Sequence, residues 1–253
     1  MAIKDRGGDG SPVLLIHGSF AKDFLLPIAE ELQGTGKFRV ITYDRRGYGR
    51  KTVGEFSMVD QANDAAAVLR QLGIEKAHVY GHSTGGAIAL QLARQSPELI
   101  ASLSVGEADL PPSHLPSGAE NEEGLKQLAG MYESSPKAEV LHVCLSSLHG
   151  EDYAEVVPEE IRNLAADDMG VWFKTEYPAL LGWKFGAEDA NAIPVNMQYI
   201  YGEKTLPMYK EVRDVLAEWD SDLVTVEVPD ATHFAPFTHA QIVAKAIADF
   251  ACP

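Results

Sequence analysis

Short apolar runs alternate with amphipathic stretches along most of the chain. Runs rich in β-branched and aromatic residues predict strands buried on both faces of a sheet. These runs are residues 13–16, 38–44, 77–80, 100–105, 195–202 and 223–229. Apolar residues at helical spacing predict helices between the strands, at residues 24–32, 57–72, 84–96, 208–219 and 236–250. This alternation indicates an α/β fold, a mostly parallel twisted sheet with helices on both faces.

One long segment interrupts the alternation. It has no strand pattern, and its apolar residues recur at helical spacing in patches separated by proline or glycine. The patches are residues 122–132, 137–148, 158–169 and 171–181. We therefore predict a core formed by residues 1–109 and 192–253, with residues 110–191 inserted into it as a helical lid. Before Val13 there is room for only one brief strand.

Charge and length narrow the class of partner. A chain of 253 residues with a net charge of −16 is large enough for one core with an insertion and is strongly acidic. Nucleic acids and anionic membrane surfaces would repel it, so neither is expected as a partner. A neutral or weakly charged small molecule fits better. The composition leaves the oligomeric state open, a homodimer included.

Cysteine usage and hydropathy favour a cytoplasmic location. The chain has two cysteines, Cys144 in a predicted helix and the penultimate residue Cys252, which do not suggest a disulfide framework. The first residues, MAIKDRGGDG, lack the apolar core of a signal peptide, and no apolar run is long enough to span a membrane.

The motif Gly81-His82-Ser83-Thr84-Gly85 lies between a predicted strand and a predicted helix. In that context, Gly-x-Ser-x-Gly predicts a nucleophile elbow, a sharp turn that exposes the serine. Acyl transfer by a serine needs a base, an acid that orients the base, and donors for the developing oxyanion. His233 follows the last predicted strand and can return to the same edge of the sheet as base. His82 is interpreted as a packing or polar-bridging residue.

Several of these motifs together resemble the α/β-hydrolase superfamily over nearly the whole chain. They are His17-Gly18, the loop DRRGYG at residues 44–49, the elbow GHSTGG and the pair His233-Phe234. The resemblance implies the α/β-hydrolase fold and a triad of serine, acid and histidine.

Carried over by position, the resemblance makes Ser83 the nucleophile and His233 the base. It also implies an oxyanion hole made of backbone amides, from Thr84 and from Ser19 or Phe20.

The acid departs from the commoner family pattern. Many members place an aspartate just after the strand at residues 195–202, where this chain has Thr205. A smaller set places the acid after the preceding strand, the sixth of the family, where this chain has Glu107. We predict Glu107 as the acid. The alternative is that Glu107 forms a salt bridge at the base of the lid and another carboxyl orients the histidine; the candidates are Asp109, Glu203 and Asp230.

The inserted helices would cover the carboxyl edge of the sheet, where the site opens. Most of their apolar residues are expected to pack within the lid. Trp172 and Trp183 are predicted to line the pocket with Phe20 and Phe234, which favours a hydrophobic substrate.

These features predict a cofactor-independent serine hydrolase that acts on a carboxylic ester or lactone. No metal-binding motif and no complete nucleotide-binding loop appears, so neither a metal nor a cofactor is predicted. Other chemistry on the same triad stays open, namely carbon–carbon bond hydrolysis, a lyase reaction or perhydrolysis, as does a receptor with little turnover. Dehalogenase and epoxide-hydrolase chemistry is disfavoured, because those relatives carry aspartate where Ser83 stands.

Overall fold

The computed structural model describes residues 2–20, 22–49 and 54–252. Its strands form one sheet in the order β1-β3-β2-β4-β5-β6-β7, and only the pair of β1 and β3 is antiparallel. The strands are β1 Ile3–Asp5, β2 Ser11–Ile16, β3 Phe38–Tyr43, β4 Ala77–His82, β5 Ile100–Gly106, β6 Met197–Gly202 and β7 Val224–Val228. The predicted α/β-hydrolase fold, with a mostly parallel sheet and helices on both faces, is confirmed.

Helices follow most strands. They are α1 Leu26–Gly34, α2 Met58–Gln71, α3 Thr84–Gln95, α4 Gly118–Ser134, α5 Lys137–Leu148, α6 Tyr153–Val156, α7 Glu159–Val171, α8 Tyr177–Leu181, α9 Ala187–Asn191, α10 Pro207–Trp219, α11 Ala235–Thr238 and α12 Ala240–Ala251. A π-helical segment, Trp172–Glu176, joins α7 to α8. No helix among the described residues is long and apolar enough to cross a membrane.

Strand β2 shows why the sheet is covered on both faces. Alternate residues of a strand point to opposite faces. Leu14 and Ile16 belong to the larger apolar cluster, with residues of α2 and α3, whereas Val13 and Leu15 belong to a second cluster, with residues of α1 and α12. All of these side chains are buried, which explains the uninterrupted apolar run in the sequence.

Two predictions of where helices are divided are wrong. The break predicted around Gly170 is absent: α7, the π segment and α8 form one continuous helical run. Glycine lowers helix propensity without ending a helix that tertiary packing stabilises. At the C-terminal end, the single helix predicted for residues 236–250 is divided into α11 and α12 at His239.

Helices α4 to α9 lie between β5 and β6. Their buried residues, such as Val140, Met169 and Leu180, belong to the same apolar cluster as residues of the sheet. The domain limits at residues 110 and 191 stay a prediction, and the outermost residues of the predicted core, 1 and 253, lie outside the described residues.

Candidate active site

The elbow forms the sharp turn that its sequence predicts. Ser83, between β4 and α3, has a φ of 56°, in the left-handed region. A Cβ atom on Gly81 would lie 2.1 Å from the Gly85 carbonyl oxygen, and one on Gly85 would lie 2.1 Å from the Ile16 carbonyl oxygen. Only glycine, which lacks a Cβ atom, lets the backbone come this close to its neighbours. Gly81 and Gly85 therefore allow the sharp turn that holds Ser83 in its strained conformation.

Glu107 contacts the predicted base. Its Oε2 lies 2.5 Å from His233 Nδ1, and both side chains are buried. The Gly202 amide donates to Glu107 Oε1 at 2.7 Å, and the Thr205 hydroxyl donates to Oε2 at 2.9 Å. Thr205, at the position of the commoner family aspartate, thus hydrogen-bonds the glutamate from the preceding strand.

The alternative carboxyls have other partners. Glu203 is exposed and accepts from the Asp230 amide at 2.9 Å, while Asp230 pairs with Lys204 at 2.6 Å. Asp109 Oδ2 lies 2.7 Å from the Thr84 hydroxyl oxygen. Among the described residues, only Glu107 makes a carboxylate contact with His233.

Ser83 and His233 line one cavity, although no hydrogen bond joins their side chains in the described structure. Contacts of this kind often tighten only when substrate binds. The ring of Tyr209, on α10, stacks on His233 with centroids 4.4 Å apart and planes inclined by 11°. Burial raises the pKa of Tyr209 well above its usual value, and the nearby Ser83 hydroxyl opposes that rise. Tyr209 therefore fixes the plane of the imidazole beside the serine.

The backbone amides of two predicted oxyanion donors have no acceptor among the described residues. They belong to Thr84, the first residue of α3, and to Ser19, in the loop after β2. The Phe20 amide, the other predicted donor, instead donates to the Tyr48 hydroxyl at 3.2 Å. The free amides of Ser19 and Thr84 thus form the candidate pair of oxyanion donors.

His82 is a neutral side chain in this site. Its ring lies 4.6 Å from that of His233, and its Nε2 donates to the His233 carbonyl oxygen at 3.1 Å. Burial, and next the charge of His233, lowers the pKa of His82 well below its usual value. The polar-bridging interpretation of His82 agrees with this contact.

The cavity has a volume of about 490 Å³ and mostly apolar walls. Phe20, Trp172 and Phe234 line it together with Ser83 and His233. Apolar residues of the inserted helices form much of the remaining wall; they include Leu125, Leu128, Met131, Leu145 and Leu148.

Trp183 does not line this cavity, contrary to the sequence prediction. Helix α8 ends at Leu181, and the indole then packs on Phe185, with ring centroids 4.7 Å apart. Its Nε1 donates to Gln91 on α3 at 2.6 Å. These contacts orient Trp183 toward α3, so it anchors the inserted segment to the core.

Cys144 also borders the cavity and could be mistaken for a nucleophile. Burial raises the pKa of its thiol to about 11. A thiol that is protonated near neutral pH is a poor nucleophile. Ser83 is therefore the better candidate.

The fold and this site agree with what is found among known proteins. A family model, that of the alpha/beta hydrolase family, matches residues 13–246. The chain belongs to the alpha/beta hydrolase family. Membership supports its assignment as a hydrolase.

Relatives of this alpha/beta hydrolase differ in the reactions they are named for. Over 101 residues it is 40% identical to a protein of Azorhizobium caulinodans provisionally named carbamate hydrolase RutD; the match covers 39% of this chain and 37% of that protein. The matched segment is thus well under two thirds of that relative's length.

Solved structures match over almost the whole alpha/beta hydrolase. A thermophilic esterase from Thermogutta terrifontis, solved with malate bound, has a TM-score of 0.80 at 25% identity, covering 98% of this chain and 91% of that one. The enol-lactonase from Burkholderia xenovorans has a TM-score of 0.79 at 22% identity, covering 98% and 95%. The second likeness shows the fold alone.

A buried ion pair in this alpha/beta hydrolase had no signal in the sequence analysis. Arg45 and Glu176 form it, and both side chains are almost fully buried. Burial, the largest single effect, would lower the pKa of Arg45, but the attraction and hydrogen bond of Glu176 together with the effects of Tyr48 and Tyr43 make the net shift upward. Arg45 also donates to the Gly18 carbonyl oxygen at 2.8 Å. The pair thus joins the π segment to the loop that carries Ser19.

Tyr209 was missed as well, because a tyrosine in an amphipathic helix is usually a core residue.

Asp109 appeared in the sequence analysis only as an alternative acid. The structure instead places its carboxyl in the wall of the cavity, on the far side of Thr84 from Ser19.

Proposed function

We propose that this chain is a serine hydrolase that cleaves a carboxylic ester or lactone of a hydrophobic small molecule through an acyl-enzyme. The observation that carries the proposal is the 2.5 Å contact between His233 Nδ1 and Glu107 Oε2. A neutral histidine that donates from Nδ1 keeps the lone pair of Nε2 for a proton. This is the state a general base needs.

In the proposed first step, Ser83 Oγ attacks the carbonyl carbon and its proton passes to His233 Nε2. Glu107 stabilises the resulting imidazolium. The carbonyl oxygen becomes an oxyanion, which accepts hydrogen bonds from the Ser19 and Thr84 amides.

Collapse of the tetrahedral intermediate breaks the bond from carbon to the alkoxy oxygen. His233 returns its proton to that oxygen and releases an alcohol, or the free hydroxyl end of an opened lactone. Water then attacks the acyl carbon while His233 takes one of its protons; the bond from that carbon to Ser83 Oγ breaks, His233 returns the proton to Oγ, and the carboxylic acid leaves.

The apolar wall supports a hydrophobic acyl or alcohol group. Burying an apolar ligand in a cavity of about 490 Å³ contributes about 25 cal/mol per Å² of apolar surface. The net charge of −16 favours neutral substrates.

The test is turnover of a panel of compounds by the purified protein. It contains p-nitrophenyl acetate, butyrate and octanoate, aliphatic and aromatic lactones, and an aryl carbamate, because RutD is named for that class. We expect hydrolysis of medium-chain or aromatic esters or lactones, and none by Ser83→Ala. A fluorophosphonate should add one label to the folded wild type and none to Ser83→Ala.

Two results would contradict the proposal. Absence of both labelling and turnover across the panel would exclude a serine hydrolase of this class. Turnover of a vinylogous diketone with no turnover of any ester or lactone would favour carbon–carbon bond hydrolysis.

A further inference from the structure

A row of four oxygen atoms runs beside the proposed oxyanion hole. Asp109 Oδ2 lies 2.7 Å from Thr84 Oγ1, which lies 2.7 Å from Ser19 Oγ, which lies 2.8 Å from Glu176 Oε2. The two central residues are those whose backbone amides are the candidate oxyanion donors. The contact between their hydroxyls therefore connects the elbow directly to the loop after β2.

Counting hydrogens constrains the protonation of this row. Three contacts at hydrogen-bond distance need three hydrogens, one in each. The hydroxyls of Ser19 and Thr84 supply two. With both carboxyls ionised, one contact would bring two oxygen lone pairs together without a hydrogen. The third hydrogen must come from a carboxyl group at one end of the row.

Glu176 is not the source of that hydrogen. Its Oε1 accepts from the Arg45 guanidinium and from Gln61 Nε2 at 3.2 Å. Its Oε2 accepts from the Tyr48 hydroxyl at 2.8 Å as well as from Ser19. A carboxyl that accepts from a guanidinium and from three further donors is held as the carboxylate.

Asp109, at the other end, has different surroundings. It is buried, and Thr84 is its only recorded side-chain hydrogen-bond partner among the described residues. Burial raises its pKa, an effect that Thr84 and His233 oppose. The charge of Glu176 raises it further, and that of Arg45 lowers it.

Other titratable groups also face Asp109. Glu107 lies two residues earlier in the same loop and is engaged by His233. Tyr199 and Tyr209, both buried, are close enough to have their own pKa values raised by the Asp109 charge. No cation makes a direct contact with Asp109 among the described residues.

We propose that Asp109 is a protonated carboxylic acid in the active enzyme and that its hydrogen completes a one-directional chain of hydrogen bonds from Asp109 through Thr84 and Ser19 to Glu176. The chain holds the Thr84 and Ser19 amides at the spacing that an oxyanion requires. Asp109 is thus a positioning residue for the proposed hydrolase function, on which this inference rests.

Ionisation of Asp109 would break the chain at its centre. The carboxylate would take the Thr84 hydrogen, while the Ser19 hydrogen stays with Glu176. The contact of 2.7 Å between the Ser19 and Thr84 oxygens would then contain no hydrogen and become repulsive. The elbow and the loop would separate, and the oxyanion donors with them.

The kinetic test compares Asp109→Asn with the wild type across pH. The asparagine amide donates to Thr84 permanently, because it does not titrate at these pH values. We expect kcat of the wild type to fall about tenfold on the alkaline side, less than the roughly 10² to 10³ lost when one oxyanion donor is removed, because the donors are displaced and not removed. We expect Asp109→Asn to lack this alkaline fall, with KM nearly the same on both sides of it.

Asp168→Asn is the matched control. Asp168 is also a buried carboxyl whose pKa is raised, chiefly by burial, but it accepts from the Gly49 amide away from the row. This variant should keep the alkaline fall of the wild type. An alkaline fall that persists in Asp109→Asn would overturn the inference.

A second variant pair tests the chain without changing the carboxyl. Thr84→Val keeps the backbone amide and removes the hydroxyl, so kcat should be about tenfold below that of the wild type at neutral pH and should show no further alkaline fall; Thr84→Ser should restore both. If valine and serine give the same kcat as threonine, the chain does not position the amides.

Infrared spectroscopy tests the protonation independently of turnover. At neutral pH the wild-type protein should show the C=O stretch of a protonated, buried carboxylic acid that Asp109→Asn lacks and Asp168→Asn keeps. Absence of that difference would overturn the inference even in an active enzyme. Its presence in a protein that hydrolyses nothing would overturn only the proposed function.

Discussion

Residues with left-handed backbone geometry cluster around the cavity. Of the four described non-glycine residues with such geometry, Phe20, Ser83 and Glu107 have φ values of 69°, 56° and 40° and belong to the site, whereas Asp230, with a φ of 58°, is exposed in the turn after β7. Such geometry costs on the order of 1–3 kcal/mol per residue and persists only where the surroundings impose it. At Glu107 it turns the side chain away from the end of β5 and under His233, where the Gly202 amide and the Thr205 hydroxyl hold it.

At this scale, Glu107→Gln tests the assignment of the acid. The amide keeps the shape of the carboxyl but carries no charge to stabilise a protonated His233, and it can hold the ring in the wrong tautomer. We expect kcat for the best ester to fall by roughly 10² to 10⁴ with KM little changed. Steady-state kinetics with that ester provide the measurement.

Glu203→Gln is the matched control for this prediction. Glu203 lies on the turn after β6, is exposed, and accepts from the Asp230 amide. The kcat of the Glu203→Gln variant should stay within about twofold of the wild type, as expected for a surface change away from the reacting atoms. A large loss in Glu203→Gln with a small one in Glu107→Gln would refute the assignment.

Among the elements, the π segment between α7 and α8 links the inserted segment to the core. A π turn contains an extra residue and changes which side chains face inward, and such segments are frequent at functional sites. Here Trp172 reaches the cavity while Glu176 reaches Arg45 beneath the loop after β2. The position of one helix is thereby tied to the position of the Ser19 amide.

Removing the charge of Glu176 should strongly destabilise the protein. Glu176→Gln leaves the Arg45 guanidinium buried without a carboxylate, a change that costs about 3–5 kcal/mol. The loss is measured as the change in free energy of unfolding in urea. Glu98→Gln removes an exposed partner of Arg70, at 62% and 57% exposure, and should cost less than about 1 kcal/mol. Equal losses in the two variants would contradict burial as the reason.

The elbow also depends on one of its glycines. A Cβ atom on Gly85 would meet backbone oxygen at 2.1 Å, so Gly85→Ala requires β2 and α3 to separate. We expect a loss of about 2–4 kcal/mol in stability, or failure to fold. Gly130→Ala, in α4 with no atom within 4 Å of the added Cβ, should instead raise stability by about 0.5–1 kcal/mol. Unfolding of both variants in urea gives the comparison.

For the whole molecule, buried neutral histidines make stability depend on pH. Burial, and next the charge of Arg45, lowers the pKa of His17 well below its usual value, and His82 behaves likewise. Below about pH 6.5 the unfolded chain binds protons at these positions that the folded chain does not. The contribution of these neutral histidines to the free energy of unfolding is therefore fully present above that pH and is lost as the pH falls.

The variant His82→Asn should reduce that dependence. Each such group contributes a slope of at most about 1.4 kcal/mol per pH unit, and His17 would keep its share. The measurement is the free energy of unfolding between about pH 5 and 8, the range in which histidine side chains usually titrate. His142→Asn, at a side chain 49% exposed, is the control and should leave the slope unchanged. A slope that is equal in His82→Asn and the wild type would contradict the prediction.

Much of the architecture follows from local patterns. The helix predicted at residues 137–148 coincides with α5, and the one predicted at 57–72 corresponds to α2, Met58–Gln71, capped by Ser57. Strand β2 was predicted from an apolar run that only a doubly covered strand tolerates. Hydrophobic periodicity follows the side-chain period of a helix or strand, which the local backbone geometry sets.

Contacts between distant segments escaped those patterns. Glu107 and His233 are 126 positions apart, and Arg45 and Glu176 are 131 apart. Local sequence contains no record of which carboxyl reaches which cation or which rings meet. The Arg45–Glu176 pair, the stacking of Tyr209 on His233 and the packing of Trp183 against α3 could therefore not be inferred.

The sequence by itself determined the fold class and the elbow, because glycine spacing and apolar periodicity impose these locally, and its resemblance to the family supplied the candidate acid beside the candidate nucleophile and base. Only the tertiary structure decided which carboxyl contacts His233 and which aromatic residues line the cavity. It also brought Asp109, Thr84, Ser19 and Glu176 into one row. The reason is physical: hydrogen bonds act over about 3 Å, and residues far apart in the chain come that close only after the sheet and the inserted helices have packed.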